Sequence, residues 1–360
     1  MPNGKGAQKG MILVFGLPRS GTSWLGKIFD SHPDTLYRHE PDKQLQTADV
    51  PLVFPVDHLD ERRDRLEAFL RRVLSNRSPD VTGKLPAFSK SYRSPARHFV
   101  RTGISYLAKA LPLQLADRVR VPDLIAPEHP QPRLVWKSIN SLGRIGALAR
   151  LLPDPRILLL LRHPCGQIAS TLRGHAAGNF QGPPPSEHYR VFQMLVDTEQ
   201  GQAHGLTLGD LRSMHPVERL AWRWVLFVEK AIADTLGLAN CRLLCYEDLC
   251  AAPMDGVREL FGFTGLGWHL QTESFIREST GEESEQYFGI RKDPMRSASK
   301  WRQELAEADI RRIFRVVERS AAGRLYLEES EARAHLPAIQ VPWRAGKEAT
   351  MPVEGFSLPS

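Results

Sequence analysis

Short apolar runs alternate along the chain with longer stretches that are only partly apolar. Runs of about four to eight residues, bounded by Gly, Pro or polar side chains, are typical of strands buried on both faces of a parallel sheet. These runs predict strands at 11–17, Thr35–Arg38, Arg133–Ile139, Arg156–Leu161 and Cys241–Tyr246. The run at Arg156–Leu161 (RILLLL) is apolar enough to be a central strand.

The stretches between the strands carry apolar residues at helical spacing. They predict helices at 22–31, 59–75, 98–119, Ser141–Leu152, 163–173, 189–201, 215–236, 253–262 and 297–319, with a Gly- and Pro-rich loop at 174–187. Strands that alternate with helices predict an α/β fold, with a central parallel β-sheet flanked by helices and right-handed crossovers. Ligands of such sheets bind outside the carboxyl ends of the strands.

The length and composition favour one large domain. The chain has 360 residues, of which 42% are hydrophobic, enough for a sizeable core. We expect a single domain over 1–325, with its core at 11–305, helical or loop insertions at about 42–132 and 174–240, and a C-terminal tail at 326–360. No apolar run reaches the about eighteen residues of a membrane span. We therefore expect a cytoplasmic protein; the oligomeric state stays open.

The net charge and the cysteines limit the kinds of ligand that the chain is expected to bind. The formal net charge of +7 suits an anionic ligand, an acidic partner or nucleic acid. The basic residues are dispersed and no nucleic-acid-binding motif is present, so nucleic-acid binding is the weaker interpretation. The four cysteines form no CxxC pair and have no histidine at ligand spacing, so we expect no metal site.

The first chemical motif is Gly16-x-x-x-x-Gly21-Thr22-Ser23, between a predicted strand and a predicted helix. This is the glycine spacing of a P-loop, whose backbone N–H groups and helix N-terminus hold an anion. Thr22 stands where an ATP-binding P-loop has lysine, which disfavours the alternative of an ATP-dependent kinase of a small molecule. Arg19 projects from the loop instead, and its guanidinium can bind oxyanions.

The second motif follows the central strand. Arg162 ends the strand, and Ser170 lies eight residues on, about two turns into the next helix. Both can face one side of the strand–helix junction, where they would bind a terminal phosphate. The alternative is that Arg162 forms a structural salt bridge and Ser170 is an ordinary helix serine.

Together these motifs resemble those of the sulfotransferases that use 3′-phosphoadenosine 5′-phosphosulfate (PAPS). PRSGTSWL, at 18–25, resembles their 5′-phosphosulfate loop, and LRHPCGQIAS, at 161–170, resembles their 3′-phosphate motif. YEDL at 246–249 and SKWR at 299–302 resemble two further segments of the family. The resemblance runs from about 11 to 305 and implies the P-loop NTPase-like fold of that family.

The resemblance implies an enzyme that moves a sulfonate group from PAPS to a hydroxyl or amine of an unidentified acceptor. The acceptor would be a small molecule or a carbohydrate, 3′,5′-ADP would be the other product, and no metal would be required. Tyr246 is expected near the adenine and Lys300 over the 3′-phosphate. The nucleotide-binding residues implied are Arg19, Ser20, Gly21, Thr22, Ser23, Trp24, Arg162, Ser170, Tyr246 and Lys300.

Catalysis of this reaction needs a cation and a base. Arg19 would stabilise the charge that develops on the leaving oxygen, but a guanidinium does not give up its proton. Glu40, at the end of the second strand, is the first candidate for the base, and His39 and His98 are alternatives. Glu40 also has a purely structural interpretation, as a surface carboxylate paired with Arg38.

Three further questions stay open from the sequence. Lys137 ends a strand and either positions the sulfonate or caps a sheet edge. Cys165 as a nucleophile has little support, and a sulfotransferase fold without activity is a further alternative. The acceptor pocket is expected from the loops at 42–58, 80–97, 120–132 and 174–190, since such pockets are built from variable loops.

Overall fold

Five parallel strands form the centre of the computed structural model, which describes residues 10–43, 45, 50–111, 119–179, 182–281 and 294–324. The strand order is β2-β3-β1-β4-β5. The strands are β1 (Ile12–Phe15), β2 (Thr35–His39), β3 (Arg133–Ser138), β4 (Arg156–Leu161) and β5 (Cys241–Cys245). The α/β prediction with a central parallel sheet is confirmed.

The sheet is buried on both faces, as the apolar strand sequences require. In β4, Ile157, Leu159 and Leu161 belong to one hydrophobic core. Leu158 and Leu160 point the other way, into a second core. Because side chains alternate across a strand, a continuous apolar run supplies both cores at once. The sheet is therefore the layer that holds the site residues at its carboxyl edge.

Helices cover both faces of the sheet. The first core includes residues of the long helix Pro216–Thr235, and the second includes residues of the helix Thr22–Ser31, which follows the P-loop. The helices are α1 (Thr22–Ser31), α2 (Arg63–Ser75), α3 (Pro79–Thr82), α4 (Pro95–Ala110), α5 (Ile145–Leu151), α6 (Pro164–Ala176), α7 (Tyr189–Val196), α8 (Glu199–Ala203), α9 (Leu208–Ser213), α10 (Pro216–Thr235), α11 (Tyr246–Ala251), α12 (Pro253–Thr264), α13 (Leu270–Gly281), α14 (Pro294–Ser299), α15 (Trp301–Glu304) and α16 (Glu307–Val317).

Two predicted helices are broken in the structure. The prediction of one helix at 297–319 is wrong, because α15 ends at Glu304 and the next residue, Leu305, has an extended backbone (φ −92°, ψ 137°). The prediction of one helix at 189–201 is also wrong. Thr198 has an extended backbone and its Oγ1 accepts the N–H of Gly201 (3.2 Å), so it starts the separate helix α8. A threonine in this position is a strong N-cap.

The ends of other elements also differ from the sequence prediction. Helix α4 begins at Pro95 rather than at 98, because Ser94 accepts the N–H of Arg97 and proline suits the first helical turn. The rest of that predicted helix, at 112–118, and the tail at 326–360 lie outside the described residues. Within the described ranges, no helix is long and apolar enough to cross a membrane. The domain boundaries stay a prediction.

The burial of β4 yields a stability prediction. Leu158 is fully buried, whereas Leu243 in the adjacent strand β5 is 43% exposed. Leu158→Ala should lower the free energy of unfolding by about 2–5 kcal/mol, since it removes contacts in a filled core. Leu243→Ala is the matched control and should cost less than about 1 kcal/mol. Urea denaturation followed by circular dichroism measures both, and equal losses would contradict the placement of β4 at the centre of the sheet.

Candidate active site

The sheet gathers the predicted chemical groups at one edge. The P-loop, at 16–21, follows β1, Arg162 follows β4 and Tyr246 follows β5. Glu40 follows β2, and Lys137 is the next-to-last residue of β3. Because the strands are parallel, these positions all lie at their carboxyl ends, where open α/β sheets bind ligands.

The P-loop turns sharply into α1 through two residues with positive φ. Gly21 is the N-cap of α1 with φ 93°, and a Cβ there would lie 2.4 Å from the ring of Tyr246. Only glycine fits this position. Arg19 also has a positive φ, 73°, which is uncommon for a residue with a side chain. The free N–H groups of the first turn of α1 provide donors for an anion in front of the loop.

The two predicted anion sites adjoin each other. Arg19 donates from Nε to Oγ of Ser170 (3.0 Å), and Arg162 donates from Nη1 to the carbonyl of Arg19 (3.0 Å). Gln167 donates from Nε2 to the carbonyl of Pro18 (2.9 Å), which fixes α6 against the loop. The two predicted anion sites therefore form one continuous surface, which consists of the P-loop and the first turns of α6.

Arg162 forms no salt bridge with any carboxylate in the described part of the chain, which disfavours the structural interpretation. Its Nη2 donates to the carbonyl of Ser297 (2.6 Å), and its guanidinium lies 4.9 Å from the centre of the Tyr246 ring. Its Nε is buried and has no hydrogen-bond partner among the described residues. A buried N–H donor without a partner is costly, and an anion bound there would satisfy it. The residues present therefore fit a phosphate.

His163 anchors the late segment of the chain to this site. The ring of Trp301 stacks on His163 with 4.7 Å between centroids and an interplanar angle of 11°. Burial lowers the pKa of His163 to about 3, with Arg302 and Arg162 acting in the same direction. The imidazole is therefore neutral and serves as a flat surface for the indole. This stacking brings the predicted SKWR segment to the carboxyl edge of the sheet.

A chain of polar contacts connects Lys300 with Ser170. Lys300 lies 3.4 Å from Glu304, and Glu304 also contacts the guanidinium of Arg173. Arg173 in turn donates to Oγ of Ser170 (3.5 Å). Arg173 was not predicted as a site residue, although a residue three positions after Ser170 on the same helix lies on the same face and can contact it.

Tyr246 and Trp24 form the aromatic side of the site. Tyr246 is buried, and burial raises the pKa of its hydroxyl. Trp24 packs edge-on against Tyr246 with 6.3 Å between centroids, and its Nε1 donates to Oγ of Ser279 (3.0 Å) on α13. Thr22 is buried and Ser23 is half-buried at the start of α1. Trp24 is thus held by a helix that the sequence did not predict.

Glu40 is paired with Lys137 and not with Arg38. Lys137 is buried, contacts the Glu40 carboxylate through its Nζ, and accepts the N–H of Glu40 at its carbonyl (2.8 Å). Burial lowers the pKa of Lys137, and Glu40 opposes that shift. Arg38 is bound to Asp123 (2.6 Å), so the surface pairing with Glu40 is wrong. The sheet-edge interpretation of Lys137 is also wrong, because β3 lies between β2 and β1.

His39 lies between Glu40 and Tyr37. Tyr37 Oη is 2.9 Å from Nδ1 of His39, and Nε2 is 3.7 Å from Glu40 Oε1. Burial, and then Lys137, hold the pKa of His39 well below its usual value, whereas burial raises that of Tyr37. The protonated tyrosine therefore donates to Nδ1, and the neutral ring directs its Nε2–H toward Glu40.

The structure places His98 apart from this cluster. His98 lies on α4, where burial and then Arg93 and Arg101 lower its pKa. Cys165 is fully buried, and burial raises the pKa of its thiol to about 12. A thiol of this kind does not ionise near neutral pH, so it is a poor nucleophile.

Solved structures with similar folds include mouse sulfotransferase SULT7A1 complexed with PAP, at 12% identity and TM-score 0.41 over 91% of this chain and 90% of that chain. A sulfotransferase domain from the curacin biosynthetic pathway has 14% identity and TM-score 0.40 over 86% and 97%. Both scores are below 0.5, so the fold assignment depends on the sheet and on the family match.

Sequence relatives give a consistent result. Carbohydrate sulfotransferase 1 of Danio rerio is 24% identical over 336 residues, which cover 84% of this chain and 74% of the relative. Carbohydrate sulfotransferase 5 of Mus musculus is 27% identical over 333 residues, covering 84% and 77%. The model of the Sulfotransferase family matches residues 11–269, which contain all five strands of the described sheet. The chain belongs to the sulfotransferase family.

Proposed function

We propose that this protein transfers the sulfonate group of PAPS to a hydroxyl of an acceptor. One observation carries the proposal: the half-buried Arg162 has a buried Nε with no hydrogen-bond partner among the described residues, and it donates to the carbonyl of Arg19, whose own side chain donates to Ser170. This arrangement suits a ligand with two anionic groups close together. The nucleotide of PAPS carries them as its 3′-phosphate and 5′-phosphosulfate.

The residues divide into two groups in this proposal. Arg162 and Ser170 hold the 3′-phosphate, with Lys300 and Arg173 adding positive charge from the rim. Ser20, Gly21, Thr22 and Ser23 present backbone donors to the 5′ end, while Trp24 and Tyr246 form the side expected to face the adenine.

Arg19 and Glu40 carry the chemistry. The acceptor oxygen bonds to sulfur while the bond from sulfur to the 5′-phosphate oxygen breaks. Arg19 stabilises the negative charge that develops on the leaving oxygen. Glu40 accepts the proton of the acceptor hydroxyl, and Lys137 and His39 hold its carboxylate in place. This proposal requires no metal ion.

We propose a carbohydrate hydroxyl as the acceptor. The support is that the relatives named above are carbohydrate sulfotransferases, at 24% and 27% identity. An amine or another small molecule is the alternative. The cytoplasmic location expected from the sequence also remains a proposal. Neither the kinase nor the nucleic-acid-binding alternative is favoured by any contact described above.

Ligand-dependent melting tests the proposed donor. At about 100 times its dissociation constant, 3′,5′-ADP should stabilise the protein by about 2.7 kcal/mol, whereas ATP–Mg should do much less. Arg162→Ala should abolish the rise in melting temperature because it removes the guanidinium proposed to hold the 3′-phosphate. Arg156→Ala, at the other end of β4, is the matched control and should keep it. Scanning fluorimetry gives the result, and an equal effect of ATP–Mg would argue against the proposal.

Turnover of Arg19 variants tests its electrostatic role. Arg19→Ala should lower kcat by about 10²–10³ with little change in 3′,5′-ADP binding, since the lost contact acts mainly on developing charge. Arg19→Lys should restore part of the rate because it keeps the positive charge. Release of 3′,5′-ADP from PAPS, measured over a panel of sugars, alcohols, phenols and amines, provides the assay. Unchanged turnover in Arg19→Ala would remove Arg19 from the mechanism.

Variant kinetics distinguish Glu40 from His39 as the base. Glu40→Gln should lower kcat by about 10²–10⁴, because it removes the carboxylate that accepts the proton. His39→Gln should cost less, because His39 only holds the Glu40 carboxylate in place. Release of 3′,5′-ADP from PAPS, measured on both variants with the same acceptor, gives the two rates. A larger loss in His39→Gln than in Glu40→Gln would identify His39 as the base instead.

A further inference from the structure

A second charged cleft lies beside the edge strand β2, away from the nucleotide groups. Helices α3 and α4, the end of α1 and the segment at 83–93 form its walls. Its aromatic lining residues are Tyr37, Phe88, Tyr92 and Tyr106, and its cationic ones are Lys84, Lys90, Arg93, Arg101 and Lys109. We call this feature the α4 cleft.

The α4 cleft has far more positive than negative charge. Among its described lining residues, Asp30 is the one carboxylate. Asp30 is already engaged by Lys27, through a direct contact, and by Lys90, at 3.1 Å. The other lining cations have no carboxylate within salt-bridge distance in the described part of the chain: Lys84, Arg93, Arg101 and Lys109.

Two adjacent residues of α4 have buried polar atoms that no described residue satisfies. Arg101 donates from Nη2 to the carbonyl of Thr82 (2.6 Å), but its Nε has no partner within the described ranges. Oγ1 of Thr102 is likewise buried without a partner among the residues described. Such groups are costly in a native protein, so an unsatisfied pair on one wall of a cleft points to a ligand.

The charges in the α4 cleft repel each other. Burial, followed by the nearby Lys84, lowers the pKa of Lys109, against which Asp80 acts only in part. Lys109 contacts the carbonyl of Gly83, which fixes its Nζ but supplies no negative charge. An anion placed between these side chains would remove the repulsion.

Helix α4 is oriented opposite to an ordinary amphipathic helix. Its side chains Phe99 and Leu107 are 80% and 72% exposed. The residues that it buries are the small Ser105 and Ala108, and Arg101 and Lys109 line the cleft beside them. Core packing favours the reverse orientation, so packing alone does not explain why the cationic face lines a cleft.

Tyr37 connects the α4 cleft with the proposed base, Glu40. Tyr37 lines the cleft and also contacts His39, which faces Glu40. Lys84, which also lines the cleft, lowers the pKa of both Lys137 and Lys109, after burial in each case. A ligand in the cleft would therefore approach the proposed base rather than the nucleotide groups.

We propose that the α4 cleft binds an acidic portion of the acceptor, namely a saccharide that carries carboxylate or sulfate groups. Arg101 and Lys109 pair with the anionic groups, and the half-exposed ring of Tyr106 packs against a sugar face. This inference rests on the proposed function, because it treats the cleft as part of the acceptor site.

Calorimetric titration of the full-length protein, saturated with 3′,5′-ADP, tests the α4 cleft. The three probes are sulfated maltotetraose, tetragalacturonate and neutral maltotetraose, which separate sulfate from carboxylate recognition. At least one acidic probe should bind ten or more times tighter than maltotetraose. Arg101→Gln and Lys109→Gln should each weaken that binding at least tenfold. Arg97→Gln, on the same helix but outside the cleft lining, should not change it.

The outcomes separate this inference from the proposed function. Equal binding of neutral and acidic probes, or undiminished binding in both cleft variants, overturns the acidic-acceptor inference. The melting response to 3′,5′-ADP, recorded on the same samples, reports the proposed donor independently and also confirms that each variant is folded. Loss of that response with a retained, Arg101-dependent saccharide affinity would overturn the donor and leave the cleft as a saccharide site.

Discussion

The carboxyl edge of the sheet depends on one half-buried cation, the guanidinium of Arg162. It donates to the carbonyl of Arg19 in the P-loop and to that of Ser297 in the late segment, and it lies over Tyr246. Four separate parts of the chain thus meet around one charge. The carbonyl groups satisfy two of its nitrogens, but its buried Nε has no partner among the described residues. An anion at this position would supply that partner and balance the charge.

The residues proposed for chemistry are held in unusual backbone conformations. Arg19 has φ 73° and Glu40 has φ 46°, in the left-handed region that side chains disfavour. Each is fixed by a hydrogen bond from outside its own turn, the first from Arg162 and the second with Lys137. Strain of this kind persists only where surrounding structure enforces it, and it concentrates at functional sites.

Local sequence signals predicted much of the fold and the nucleotide edge. The strands, the P-loop turn and the Arg162–Ser170 motif can each be recognised in a segment of about ten residues. The pairing of Lys137 with Glu40 could not be predicted in this way, because it joins positions 97 residues apart. The helix break at Thr198 did have a local signal, because threonine is a favoured N-cap residue, but the helical spacing of apolar residues favoured one continuous helix. The contacts that the sequence did not predict are those between segments that are distant in the chain and meet across the sheet.

The distribution of charge also bears on how two anions could react with each other. A phosphosulfate donor and an acidic acceptor repel, and the repulsion grows as the site excludes water. Lys137 lies beside Glu40, and Lys84 is close enough to lower the pKa of Lys137, after burial. Lys84 lines the α4 cleft and Lys137 lies near the carboxyl end of β3, so both cations would offset that repulsion. In the proposed reaction, positive charge is thus available where two like-charged reactants would meet.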